Sequence, residues 1–225
     1  MHITAIREEA GRLPLADWAH DLLLLGAMVA LSVAAGAVRA DEPDASARAH
    51  AERSAVTVCA TCHGARGNST QPKFPRLAGQ NPGYLANQLR NFRAQTRGDP
   101  DAVSYMWGMT REFDDGMIEA LASYYSRQQP EPSAARTSEQ LERGREIYEH
   151  GVASQGVPAC SSCHGADAHG LQDFPRLAGQ HAQYILKQLA SFQNSMRNVA
   201  VMRGVAQNLR PAEMESVAAY LEAQP

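Results

Sequence analysis

The sequence predicts an all-α protein built as two tandem copies of one small domain, and three observations carry that prediction. The pentapeptide Cys59-Ala60-Thr61-Cys62-His63 recurs as Cys160-Ser161-Ser162-Cys163-His164, 101 residues later. The heptapeptide Phe74-Pro75-Arg76-Leu77-Ala78-Gly79-Gln80 recurs unchanged as Phe174 to Gln180, at an offset of 100. Each copy also spaces its apolar residues at a helical period, and no alternating β pattern of any length appears.

Beyond the heptapeptide, Tyr84, Gln88, Leu89 and Phe92 match Tyr184, Gln188, Leu189 and Phe192, giving 11 identities in 19 ungapped positions. Each copy reads as three helices joined by long loops. The first runs from about Ala45 into Cys59 and from about Ser138 to His150, both segments rich in helix formers. The second opens near Pro82 or His181 and puts Tyr84, Leu85, Gln88, Leu89 and Phe92 on one face. The third starts after Asp114 or Pro211, with Met117, Ile118, Leu121 and Tyr125 as a core stripe.

Ahead of the repeats lies Leu22 to Val38, an apolar run of 17 residues, followed by Val38-Arg39-Ala40 with small residues suited to cleavage after Ala40. Residues 1–40 are expected to be a signal peptide, with an uncleaved anchor as the alternative, because the run is near the lower length limit for a span and its leading flank is acidic. The domains are then 41–129 and 137–225, joined by a proline-bearing polar linker at 130–136. Copies of about 90 residues are small for an unaided core. The formal net charge of −3 and the absence of basic runs argue against a nucleic-acid partner.

C-x-x-C-H is the attachment signature of a c-type haem. Cys59 and Cys62, and again Cys160 and Cys163, would form thioethers to the haem, with His63 and His164 as iron ligands. All four cysteines are used in this way. Zinc held by two C-x-x-C pairs fits poorly, because the pairs are 97 residues apart and each lies in its own repeat. Two covalent haems, and so two irons, are expected.

The sixth ligand separates carriers from catalysts. Met106 lies 13 residues before Glu119 and Met202 lies 13 before Glu215, each followed by x-Gly. The counterparts of Met109, Met117 and Met214 are Val205, Glu213 and Ile118, so those methionines find no thioether match; Met196 also lacks one. Met106 and Met202 are therefore the expected axial pair, with Gly108 and Gly204 letting the backbone approach the porphyrin edge. Pro75 follows His63 by 12 residues and Pro175 follows His164 by 11, so a proline carbonyl in this loop can accept the second ring N–H of the histidine. Arg76 and Arg176 suit haem propionates. His50, His150, His169 and His181 read as solvated.

This pattern, C-x-x-C-H, a proline about a dozen residues on and a loop methionine before a C-terminal helix, resembles class I cytochrome c. Two such domains in tandem, each with F-P-R-L-A-G-Q and Y-x-x-x-Q-L, resemble the dihaem cytochrome c4 family across residues 45–225. The resemblance implies that the carbonyls of Pro75 and Pro175 contact the histidines. It also implies two domains paired about a pseudo-twofold axis with their haem edges close together. The function it implies is a periplasmic electron carrier, not an enzyme, working between a donor complex and a terminal oxidase. Two alternatives stand beside it: a membrane-tethered subunit of a dehydrogenase or oxidase complex, and a dihaem redox enzyme with one labile iron, as in a peroxidase or a thiosulfate-oxidising cytochrome.

Overall fold

A computed structural model describes residues 44–132 and 138–225. The expected leader, and the linker from residue 133 onward, lie outside the described residues. The first half opens on α1 (Ala45–Ser54), whose N-cap Asp44 accepts the amide of Ser46. That helix continues through a π-helical turn, Ala55–Cys59, into α2 (Ala60–His63), so the first C-x-x-C-H motif lies on one unbroken helical path. α3 (Pro82–Arg93) is capped by Asn81, whose side chain accepts the amide of Tyr84 at 3.1 Å, with proline at its first position. A π-helical turn, Ala102–Met106, runs into α4 (Trp107–Thr110). α5 (Asp115–Ser126) then closes the half under the cap of Asp114.

The second half repeats this order with α6 (Glu139–His150), α7 (Ser161–His164), α8 (Ala182–Gln193), α9 (Ala200–Ala206) and α10 (Pro211–Ala223). Among the described residues there are no strands, only isolated bridges at Arg97↔Arg197 and Val152↔Val157. The helix positions expected from periodicity match α1, α3, α5, α6, α8 and α10. The loops expected around Met106 and Met202 are instead helical: Met106 ends the π-helical turn and Met202 lies within α9.

In each half the first helix packs on the last, α1 on α5 and α6 on α10. The second crossing is so close that a Cβ at Gly144 would sit 2.1 Å from the Ser216 carbonyl and 2.6 Å from the Tyr220 Cβ. In the first half Ala51 and Ala55 serve as the small residues buried at the corresponding contact. Leu85, Ala86, Met117, Ile118, Leu121 and Tyr125 complete that core. Tyr148, Ile185, Leu189, Phe192, Val217 and Leu221 do the same in the second half.

The two halves reach the haem-attachment motif differently. Where α1 runs straight into it, α6 stops at Gly151 (φ 73°) and a short loop closed by Val152 and Val157 leads to Cys160. Glu213 ties that loop down. Only 1% exposed, it accepts Gln155 Nε2 at 2.7 Å and the Arg210 guanidinium at 2.5 Å, and also caps α10 through the Arg210 amide. Hydrogen bonds from the Arg210 side chain outweigh the opposing effect of burial and hold the Glu213 carboxyl down at about 2.

A carboxylate with a depressed pKa stabilises the fold above its ordinary value near 4.5 and loses that contribution as pH falls toward 2. Glu213→Gln should therefore cost about 1–3 kcal/mol at neutral pH. In urea titrations repeated at descending pH, the gap between wild type and variant should close between pH 4.5 and 2. A gap independent of pH would show that the charge on Glu213 contributes nothing.

Candidate haem-binding site

His63 is buried at the end of α2, and its Nδ1 lies 2.9 Å from the carbonyl oxygen of Pro75. His164, at the end of α7, places Nδ1 at 3.1 Å from the carbonyl of Pro175. An imidazole that donates from Nδ1 is held in one tautomer with the Nε2 lone pair free, the form a metal requires. Burial, more than the opposing carbonyl bond, pushes both imidazoles below their ordinary pKa and so keeps them neutral. Phe74 and Phe174 meet the two rings edge-on, with centroids at 6.3 and 5.9 Å. The proline loop thus orients each histidine twice, by a carbonyl and by an aromatic edge.

Both histidines border one continuous, mostly apolar cavity of about 1030 Å³. Cys59, Cys62 and Met106 line it from the first half, and Cys160 and Met202 from the second; Cys163, on α7, is part-exposed. Pockets for organic ligands run to about 300–1,000 Å³, so this space lies at the upper end of that range and suits a large planar group. Burial raises the Cys59 thiol and pushes Cys160 up to about 11, so both are thiols in the bare chain. The Tyr125 hydroxyl, at the cavity wall, is buried with no hydrogen-bond partner among the described residues. Soft sulfur, neutral imidazole and apolar walls are the donor set and surroundings that haem c requires.

The halves meet through the repeated heptapeptide. Gln80 accepts the Arg176 amide at 2.7 Å and donates to the Arg176 carbonyl at 2.9 Å. Gln180 does the same to Arg76, at 2.9 Å for both bonds. Deeper in, Arg97 donates to Gln88 at 2.9 Å and to Gln188 at 2.8 Å, while Arg197 donates to Gln188 and Gln88 at 3.0 Å each. The same two guanidiniums also donate across the halves to the Tyr184 and Tyr84 hydroxyls, at 3.3 and 3.2 Å. Burial opposes ionisation of Tyr84, but the charges of Arg197 and Arg97 outweigh it and hold its pKa below the usual phenol value.

Several residues make contacts that the sequence reading did not anticipate; Arg76 and Arg176 line the cavity and also bond backbone carbonyls. The Arg76 guanidinium bonds the carbonyls of Ser69 and Glu131, and that of Arg176 bonds the carbonyl of Pro225. The arginines buried on the cavity wall are Arg97 and Arg197, which motif analysis passed over. They sit at the same offset of 100 as the heptapeptide, so extending that alignment by five residues finds them. His181, read as solvated, is buried; its Nε2 lies 2.9 Å from the Ser69 carbonyl across the interface and its Nδ1 lies 3.5 Å from Glu222. His50, His150 and His169 are exposed. A Cβ at Gly108 or Gly204 would meet no protein atom within 4 Å, so no protein neighbour demands glycine there.

The cytochrome c family model matches residues 49–127 and 141–224, one copy in each half. Cytochrome c4 of Stutzerimonas stutzeri is 38% identical over 194 residues, covering 79% of this chain and 90% of that protein. The chain belongs to the dihaem cytochrome c4 family. As a member of it, this protein is a dihaem c-type electron carrier. The crystal structure of reduced cytochrome c4 from Pseudomonas stutzeri superposes with a TM-score of 0.71 at 35% identity, covering 79% of this chain and 98% of that one. Cytochrome c-552 of Acidithiobacillus ferridurans is 39% identical over 165 residues, or 72% of each chain. The thiosulfate dehydrogenase electron acceptor of Thiomonas intermedia is 36% identical over 174 residues, 74% of this chain and 78% of that protein. Thiosulfate dehydrogenase (TsdBA) of Marichromatium purpuratum matches with a TM-score of 0.69 at 33% identity, over 80% of this chain and 40% of that one.

Each interface glutamine makes two bonds to the backbone of the other half. Gln80→Ala and Gln180→Ala should each cost about 1–3 kcal/mol, read by urea denaturation of the holoprotein. The double variant should fall short of additivity, because losing one pair loosens the loop that makes the other. Additive costs would mean that the two pairs form independently.

Proposed function

We propose that this cytochrome c4 relative carries electrons in the periplasm between a donor complex and a terminal oxidase, using His63/Met106 and His164/Met202 as its two axial pairs. When bound, each haem supplies a one-electron Fe(III)/Fe(II) couple. The reading rests chiefly on one observation: each half contributes to the same cavity a buried, neutral, carbonyl-oriented histidine and a methionine at a matched position. A neutral thioether opposite a neutral imidazole favours ferrous iron and raises the potential. Two strong ligands would leave no open coordination site, so little would need to reorganise when an electron passes. Cys59 and Cys62, and Cys160 and Cys163, tether each group so that it stays with the chain through every cycle. Arg97 and Arg197 are the buried cations bordering the cavity and suit its carboxylates.

No helix among the described residues is long and apolar enough to cross a membrane. A second reading of the donor is favoured by a relative named as a thiosulfate dehydrogenase electron acceptor and by the match to part of a thiosulfate dehydrogenase structure. In that reading this chain takes electrons from such an enzyme. Mixing the oxidised protein with a thiosulfate dehydrogenase and thiosulfate separates the two. Reduction at enzyme-limited rates supports the second reading; reduction only by a quinol-fed donor complex supports the first.

Met106→Ala and Met202→Ala should each lower the potential of one haem and take carbon monoxide binding at that iron from absent to stoichiometric. Unchanged potentials together with no carbon monoxide shift in the reduced spectrum would overturn the axial assignment. Cys59→Ala or Cys160→Ala should remove one of that haem's two thioether links or block its maturation. An unaltered haem spectrum and covalent mass would refute the attachment.

A further inference from the structure

We propose that Lys187, on α8 of the second half, is a positioning residue for Met106 and steadies the sixth ligand of the first haem from across the interface. The inference rests on Met106 as that ligand; Met202 receives no such support in return. Lys187 Nζ pairs with the carboxylate of Asp101. Asp101 immediately precedes the π-helical turn Ala102–Met106, five residues ahead of the methionine. Lys73 reaches the same carboxylate at 3.9 Å and donates at 2.6 Å to the hydroxyl of Tyr105, the neighbour of Met106. Past the turn, Trp107 Nε1 donates to the Arg97 carbonyl at 2.8 Å, and the Arg97 guanidinium in turn bonds Gln188 and Tyr184. Lys187, Gln188 and Tyr184 all lie on α8, so that one helix anchors the chain on both sides of Met106.

None of this is repeated at Met202. Met106 lies nine residues after Arg97, but Met202 lies only five after Arg197. Counted from the arginine, Val201 stands where Asp101 does; counted back from the methionine, it stands where Tyr105 does. The reverse ion pair would join Asn87 to Val201 and so carries no charge. Lys73 and Trp107 are matched by Asp173 and Arg203, both exposed. Phe74 adds a brace found only in the first half: its ring meets Tyr105 edge-on at 5.6 Å as well as His63. A thioether is a soft ligand that suits ferric iron less well than ferrous. How firmly its segment is held therefore decides how often it leaves the ferric ion. Lys187 and Asp101 are 34% and 30% exposed, which limits the pair to about a two- to fivefold effect.

The test uses the holoprotein and needs no partner. In the reduced state, upfield thioether methyl resonances count the bound methionines, and Met106→Ala identifies the one from the first half. In the ferric state, the rate of imidazole entry at each iron, followed by its resolved haem methyl resonances, reports how often its methionine leaves. Lys187→Ala and Asp101→Asn should each speed entry at the first iron about two- to fivefold and leave the second unchanged. Lys187→Arg keeps the charge and should keep the wild-type rate. Rates that stay put at both irons would overturn the proposal. Rates that rise equally at both would also overturn it, since they would report a general loosening of the interface. A wild-type reduced spectrum without a Met106 resonance would instead remove the axial assignment beneath it.

Discussion

Neither half of this chain owns enough apolar side chain to close its own interior. The helices that cross in each half, α1 on α5 and α6 on α10, make a firm wall, but the space opposite that wall is a cavity of about 1030 Å³. Burying apolar surface is the main favourable term for a domain this small, so the covalent group is as much core as cofactor. The surrounding architecture follows from that need. The long loops line that cavity, and each C-x-x-C-H motif lies at a helix end from which it would hold the group. The proline loop then serves two tasks, orienting the histidine on one side and meeting the other half on the other.

The same loop explains why the halves pair as they do. A glutamine side chain presents one acceptor and two donors, which is what an exposed backbone amide and carbonyl of one residue need. Gln80 and Gln180 satisfy each other's loops in this way, and the chain segments at Arg97 and Arg197 meet in an isolated antiparallel bridge. Symmetry is broken where it costs the fold least. His181 stands where the first half has Asn81, and it spans the interface to Ser69 instead of capping its own helix. The entry to the second attachment motif is rebuilt around Glu213.

The fold was largely legible because its strongest signals are local and repeated. Helical periodicity located α3, α5, α8 and α10, and the matched pentapeptides located both attachment turns. The short helices carrying Met106 and Met202 were not legible, because segments such as Ala200–Ala206 have too few residues to show a period and take their shape from what they pack against. Arg97 and Arg197 were hidden for another reason. A lone arginine reads as solvated on composition alone, and only tertiary structure shows the glutamines and tyrosines that make its burial tolerable. His181 was misread on the same ground. Arg76 and Arg176, expected at the haem propionates, do line the cavity, and what the sequence did not show is that their guanidiniums also bond backbone carbonyls.

The glutamine exchange has a consequence for how such a chain can arise. Because Gln80 does to Arg176 what Gln180 does to Arg76, the contact is isologous: the surface is complementary to a copy of itself. A one-domain chain bearing F-P-R-L-A-G-Q already holds everything required to dimerise through these bonds. Fusing two copies replaces an encounter in solution with a local concentration set by the connecting segment. Once the pairing is intramolecular, the halves no longer share one gene segment and can diverge, one keeping aspartate at position 99 while the other holds valine at 199. Two copies in one chain are therefore two sites that can differ.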